Sequence, residues 1–154
     1  MQRHPGLRDL SSDHHHALVQ AQRLQRGAAA DEATRLKSVA EFLQFWHEHA
    51  QRHFSEEEQA LLPYFARWGE LNQEPIHQML REHALIRRDA SLLEAGDYNE
   101  STCHDFGAQL EAHVRLEERV IFPLIEAALP EAALAELAGV LHAWQQASSM
   151  RRLS

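Results

Sequence analysis

One pattern of eleven residues occurs twice in the sequence, sixty residues apart, and it restricts the fold more than any other feature. The pattern is His-x-x-x-Glu-Glu-x-x-x-x-Pro, and its copies occupy residues 53–63 and 113–123. In an α-helix, residues four apart differ by about 40° around the axis and by about 6 Å along it. His53 therefore stacks with Glu57 and His113 with Glu117, each pair on one face of its helix. We expect both copies to be helical, with the two polar pairs facing the same interior.

A shorter pattern, an acidic residue followed by His, also occurs twice. The pairs are Asp13-His14 and Glu82-His83, and each follows an apolar residue by three positions. The chain thus consists of two similar halves, each with an acid–His helix followed by a His-x-x-x-Glu helix. A bundle with pseudo-two-fold symmetry would bring four His and two Glu together at its centre.

These polar side chains interrupt helix stripes that otherwise carry Leu, Val, Ile and Phe. A buried carboxylate without a cation or a hydrogen-bond donor is costly, so two buried Glu need compensation. A pair of metal ions would provide it, with neutral His as further ligands. The alternative is satisfied core histidines beside a solvated run of acids, and the repeated spacing favours the metal site. The six candidate ligands are His14, His53, Glu57, His83, His113 and Glu117.

The apolar periodicity predicts an all-α fold without strands. Residues 1–9 are expected to form an irregular lead-in. Helix one is expected to begin at Ser11 or Ser12, helix two to be capped by Asp31, and helix three to begin near Pro75. Pro63 is expected to bend or end helix two, and Pro123 lies at the same place in helix four, just past the carboxylates. We expect a single domain over residues 1–154, with a bundle at about 10–129 and a short additional C-terminal helix at about 130–147.

Composition excludes several classes of function. A net charge of −8 with no evident basic face argues against a nucleic-acid partner. The single Cys fits a reducing compartment, and no apolar run indicates a signal peptide or a membrane span. We therefore expect a cytoplasmic protein with no membrane segment. The twelve His are the unusual feature, and metal binding is the first explanation for them.

In this order and spacing, the four motifs resemble the hemerythrin family, specifically the hemerythrin-like HHE cation-binding domains, over residues from about 7 to 128. The resemblance implies an up-down-up-down four-helix bundle around two iron ions in an Fe–O–Fe type centre. It also implies that Glu57 and Glu117 bridge the irons, with His ligands at either end. Zinc or manganese could replace iron, because His and carboxylate ligands accept both. The implied partner is a small molecule such as oxygen, nitric oxide or peroxide. The sequence is compatible with a monomer or a homodimer.

The sequence departs from the oxygen-carrying hemerythrins on the third and fourth helices. Those proteins carry two His four apart on the third helix, whereas Met79 stands four residues before His83 here. Their carboxylate follows the fourth-helix His by five residues, which would select Glu118. Helical geometry favours Glu117, which is about 40° from His113, while Glu118 is about 140° away. Because a His ligand is missing at Met79, one iron is expected to be more open at that corner of the centre.

Other histidines remain as alternatives or additions. His15 and His16 are alternatives to His14, and His49 could be a further ligand or a hydrogen-bond partner. His77 is unsuited to share a metal with His83, because it is about 120° away around the helix. His4, His47, His104 and His142 are expected on the surface.

Four functions are compatible with such a chain. The first is binding or sensing of oxygen or nitric oxide, and the second is consumption of peroxide, so an enzymatic activity stays open. The third is iron handling or repair of iron centres, and the fourth is a metal-free helical interaction module. The Met at position 79 favours reactivity over reversible carriage.

Overall fold

The computed structural model describes residues 2–153, which are all-helical and contain no strand. A 3-10 turn at Pro5–Leu7 leads into five main helices. Helix α1 spans Arg8–Ala28, α2 spans residues 32–65, α3 spans Glu74–Glu94, α4 spans residues 100–128, and α5 spans Glu131–Leu153. The prediction of an all-α fold is confirmed. The last helix is longer than the predicted 130–147, because its polar end continues as helix to Leu153.

Local sequence explains where three of the helices begin. The Asp31 side chain accepts a hydrogen bond from the backbone N–H of Thr34 at 2.7 Å and caps α2, as predicted. Asn99 and Thr102 form a reciprocal capping box at the start of α4. Pro75 lies in the first turn of α3, where its missing N–H leaves no helical bond unmade.

The N-terminal segment is structured, and the predicted cap at Ser11 or Ser12 is wrong. Helix α1 already begins at Arg8, and Leu7 before it is fully buried. Gly6 lies against the carbonyl oxygen of Leu134, where a Cβ atom would approach to 2.4 Å, so only glycine fits there. The turn at Pro5–Leu7 is therefore packed against the C-terminal helix.

Helices α2 and α4 continue through their prolines by widening for one turn. Glu57–Leu61 and Glu117–Ile121 are π-helical, and Pro63 and Pro123 follow two residues later. Proline lacks an N–H donor and its ring crowds the preceding turn, which a wider turn relieves. Helix α2 ends soon after Pro63, as predicted, whereas α4 continues to residue 128. Each of these two turns begins at the Glu of the repeated motif. A further π-helical turn lies earlier in α2, at Trp46–Ala50.

The polar motif residues lie in a layer between two apolar clusters. Helix α1 packs against α2 and α4, and α3 packs against the same two helices. Along each of these four helices, one stretch of apolar residues belongs to one cluster and another stretch to the other, and the motif residues lie between them. Helix α5 covers the cluster at the Leu7 end. Within residues 2–153, no helix combines the length and apolar character that a membrane span requires.

Candidate metal centre

The structure brings all six candidate ligands together in the buried polar layer. Each of the six side chains belongs to a residue that is at most 5% exposed. Their ligand atoms form two groups, and within each group these atoms lie within 4.8 Å of one another. One group contains His14, His53, Glu57 and Glu117, and the other contains His83, His113 and Glu117. Glu117 therefore belongs to both.

The Nε2 atoms of the four histidines face the two central carboxylates. His14 Nε2 and His113 Nε2 lie 3.1 and 3.0 Å from Glu117 Oε1. His53 Nε2 and His83 Nε2 lie 3.3 and 3.4 Å from Glu57 Oε1. The nitrogen and oxygen atoms that point inward are those that would bind a metal ion.

The Nδ1 atoms of the same histidines face outward, each toward a different carboxylate. The distances are 2.7 Å for His14 to Glu118, 3.1 Å for His53 to Asp13, 2.6 Å for His83 to Glu58 and 2.9 Å for His113 to Glu82. A carboxylate at Nδ1 holds the proton there and leaves Nε2 free as a ligand, which is the usual support of metal-binding His.

These four supporting carboxylates form a closed ring around the bundle that was not predicted from the sequence. Helix α1 supports α2, α2 supports α3, α3 supports α4, and α4 supports α1. Each supporting acid is the sequence neighbour of a candidate ligand, in the pairs Asp13-His14, Glu57-Glu58, Glu82-His83 and Glu117-Glu118. The acids were visible in the sequence as repeated pairs. Their role as partners of the His Nδ1 atoms could not be predicted from the sequence, because each acid contacts a His on a neighbouring helix.

Several ligand-type atoms in the layer lack hydrogen-bond partners among the described residues. They are both carboxylate oxygens of Glu57, Oε2 of Glu117, and Nε2 of His83 and His113. Buried polar atoms are rarely left unpaired in native proteins. Since these atoms lie close together in the buried layer, the residues fit a metal centre with nitrogen and oxygen ligands.

Without metal, the layer would hold protons instead. Burial lowers the pKa of His83, but the carboxylates of Glu117, Glu57 and Glu58 outweigh it and raise the pKa to about 11. In the same way, burial lowers the pKa of His113 while Glu117 and Glu82 raise it to about 9. Burial alone would raise the pKa of Glu117, yet the facing histidines hold it well below its usual value. Metal ions entering the layer would displace these protons.

The structure gives Glu117 and Glu118 different places. Glu117 is fully buried in both groups, whereas the Glu118 side chain is 28% exposed and lies outside them. Glu118 accepts hydrogen bonds from Ser11 Oγ at 2.7 Å and from Arg3 Nη2 at 3.0 Å. Burial would raise the pKa of Glu118, but His14, Ser11 and Arg3 together lower it to about 2. The anion at position 118 therefore supports His14 from outside.

The remaining histidines lie outside both groups. His15 and His16 are exposed on α1, and the His49 and His77 side chains are 57% and 44% exposed. His4, which the sequence placed on the surface, is only partly exposed, and its Nδ1 accepts a hydrogen bond from the Gly6 N–H at 2.9 Å.

The acidic run in the first motif is not a solvated one, because Glu56 is buried beside Glu57. Its carboxylate accepts a hydrogen bond from Gln145 Nε2 at 2.7 Å.

We expected open space beside the centre at Met79, but the structure has it on another side. Met79 is fully buried in the apolar cluster at the Leu7 end, so its flexible side chain fills that corner. A cavity of about 20 Å³ lies instead against His14, His53, His113 and Glu117. Its other walls are mostly apolar and are formed by Asp13, Ala17, Phe42, Phe45, Trp46, His49, Ala50, Phe54, Leu110 and Val114.

Comparison with known families agrees with this geometry. The family model described as hemerythrin HHE cation binding domain matches residues 6–125, which include all six candidate ligands. No curated protein and no solved structure gives a significant match. The family model covers well over half of the chain. This match and the buried clusters of His and Glu together indicate metal binding. The chain belongs to the hemerythrin family, through its HHE cation-binding domain.

Proposed function

We propose that this protein binds two iron ions in the buried polar layer and a small molecule beside them. One ion would take His14 and His53, the other His83 and His113, with Glu57 and Glu117 between the two. The observation that carries this proposal is the pair of buried groups that share Glu117 and contain unpartnered ligand atoms. The proposed topology is an up-down-up-down bundle of α1 to α4, as in the hemerythrin family.

The residues around the layer would perform three tasks. The four outer carboxylates hold the Nδ1 protons and orient the imidazole rings. The two apolar clusters exclude bulk water from the layer on either side. Phe54 and Phe122 fix two of the rings by stacking, with centroid distances of 4.0 Å to His83 and 5.2 Å to His14. Iron, when bound, would supply the redox chemistry and the affinity for diatomic ligands that these side chains lack.

The cavity favours a very small ligand. A space of about 10–15 Å³ admits one water molecule by the same measure. The cavity of about 20 Å³ therefore suits oxygen, nitric oxide or peroxide, and it is too small for a metabolite with many heavy atoms. Its apolar walls favour an uncharged diatomic molecule over an ion.

Consumption of peroxide is the second candidate function, and the difference between the two groups of ligand residues favours it. Glu57 belongs to the group of His14 and not to that of His83, and Met79 stands where oxygen-carrying relatives have a His. An iron with fewer protein ligands reacts more readily with peroxide. Peroxide loss should therefore be slower in Met79→His than in the wild type at matched iron content. Met79→Leu is the control for altered packing, and equal rates in Met79→His and the wild type would show that position 79 does not govern the reaction.

The test of the proposed function is spectroscopic. Protein purified with iron supplementation should show an absorption band after exposure to air, and nitric oxide should change it. Peroxide should change the band transiently if the second candidate holds. His16→Ala provides a matched control, since His16 is exposed and outside both groups. An iron-loaded protein whose spectrum responds to neither molecule would contradict both candidates.

A further inference from the structure

Two arginines contact the polar layer in the same way from opposite halves of the chain. Arg3 donates to the Glu118 carboxylate at 3.0 Å, and Arg87 donates to both carboxylate oxygens of Glu58 at 2.8 and 3.2 Å. Glu118 and Glu58 are the carboxylates at Nδ1 of His14 and His83. Each arginine is therefore linked to a candidate metal ligand through one intervening carboxylate.

Each arginine also lies over the aromatic ring that stacks on the same histidine. The guanidinium carbon of Arg3 is 5.4 Å from the centroid of Phe122, whose ring stacks on His14. The guanidinium carbon of Arg87 is 5.6 Å from the centroid of Phe54, whose ring stacks on His83. Both guanidinium groups thus contact the two neighbours that set the orientation of one imidazole ring. The other two histidines, His53 and His113, lack this arrangement, because among residues 2–153 no arginine is seen to donate a hydrogen bond to their carboxylates, Asp13 and Glu82.

Arg3 is further held by contacts that fix its own position. It also donates to the backbone carbonyl of Glu118 at 2.6 Å and to the Glu126 carboxylate. The Glu126 carboxylate accepts a hydrogen bond from the His4 backbone N–H at 2.7 Å, which ties the segment down. Arg3 lies before residues 6–125, the part of the chain that the family model matches.

We propose that Arg3 and Arg87 are positioning residues for His14 and His83, each acting through a carboxylate and a stacked phenyl ring. The proposal rests on the proposed metal-binding function. The planar guanidinium fork satisfies two or more acceptors at once, which a lysine ammonium on a flexible stem does not do in the same geometry. Arg3 would serve the ion at His14 and His53, and Arg87 the ion at His83 and His113.

Removal of either arginine separates a positioning role from a purely electrostatic one, because the two roles predict opposite changes in metal affinity. A nearby positive charge repels a metal cation, so if the arginines acted only through charge, Arg3→Met and Arg87→Met would bind metal more tightly. If they act by position, the carboxylate and the ring loosen and binding weakens. Loss of a direct outer partner typically costs 10–100-fold in metal affinity, and we expect about tenfold for a residue one step further out.

The experiment is a titration of the metal-free protein with Co²⁺. Two binding steps are expected in the wild type, and each Met variant should weaken one step by about tenfold. Arg3→Lys and Arg87→Lys, which retain the charge, should weaken the same step. Arg8→Met and Arg88→Met remove the same charge from exposed neighbouring positions and should leave both steps unchanged.

A second measurement, the exchange of the imidazole Nδ1–H protons with water, follows the His rings directly. In the Zn²⁺-loaded protein, the Nδ1–H protons of His14 and His83 should be observable by NMR and slow to exchange with water. Arg3→Met should accelerate exchange at His14 alone, and Arg87→Met at His83 alone. Unchanged or tighter Co²⁺ binding together with unchanged exchange would overturn the proposal while leaving the metal site intact. A wild type that binds no Co²⁺ or Zn²⁺ would instead overturn the proposed function.

Discussion

Replacing Glu117 and Glu118 separately by Gln tests which carboxylate the centre uses. The change keeps the size of the side chain but removes its negative charge. Glu117 lies within 3.0–3.7 Å of Nε2 atoms from three histidines, so its loss affects both groups. Glu118 faces only Nδ1 of His14 among the four candidate histidines, so its loss affects one group from outside. We expect Glu117→Gln to lose both ions and Glu118→Gln to retain them with lower affinity.

The magnitudes follow from linkage between binding and folding. Free metal at 100 times its dissociation constant stabilises a protein by about 2.7 kcal/mol per site, or about 5 kcal/mol for two sites. For a chain of this size, about 1 kcal/mol corresponds to about 2–4 °C in Tm, so metal should raise the wild-type Tm by roughly 10–20 °C. Glu117→Gln should abolish this rise. A loss of 10–100-fold at one site in Glu118→Gln removes about 1.3–2.3 kcal/mol, or about 3–9 °C.

The assay is thermal unfolding of each protein with and without metal, combined with metal analysis after gel filtration. The metal-free proteins are the internal reference, because each substitution also changes the hydrogen bonding of the metal-free layer. Two retained ions in Glu117→Gln, together with metal loss in Glu118→Gln, would refute the assignment. Helix α4 would then present the next residue to the centre.

Three further predictions address the helix register, the protons and the cavity. His14→Ala should lose metal while His16→Ala retains it, as metal analysis of both proteins would show; the reverse would place the ligand on the other face of α1. The pKa values of His83 and His113, about 11 and 9, are raised above the usual 6.5, so their contribution to the stability of the metal-free protein is complete below about pH 6.5 and is lost as the pH rises through about 9 to 11. Since metal must displace these protons, calorimetry in buffers of different ionisation enthalpy should detect proton release, and affinity should increase with pH; binding without proton release would contradict the assigned ligands. Ala50→Leu should fill part of the cavity and slow nitric oxide binding, at a cost of about 1–3 kcal/mol in stability, and an unchanged rate would exclude the cavity as the binding place.

The grouping of the candidate ligands could be predicted because the spacing of residues within single helices encodes it. A His and a Glu four residues apart share a face in any α-helix, so His53 with Glu57 needed no tertiary information. The repeated spacing then indicated that four such faces converge. The family assignment, which the comparison confirms, rested on the same local patterns.

What the sequence did not predict depends on how neighbouring helices are aligned. Asp13 is adjacent to His14 in the chain, yet it supports His53 on the next helix, and only the packing of α1 on α2 sets that contact. The corner at Met79 was expected to be open, but a flexible side chain closed it, and the space lies on the other side. Arg3 was assigned to an irregular lead-in, because nothing local shows that this segment docks on α4.

The most direct test of the central claim is the metal content of the wild-type protein. The chain should be produced with iron supplementation, freed of loosely bound metal by gel filtration, and analysed for all transition metals against protein concentration. The two buried groups predict about two metal ions per chain. The proposed function predicts that most of these ions are iron. A correctly folded helical protein that carries no bound metal would contradict the account.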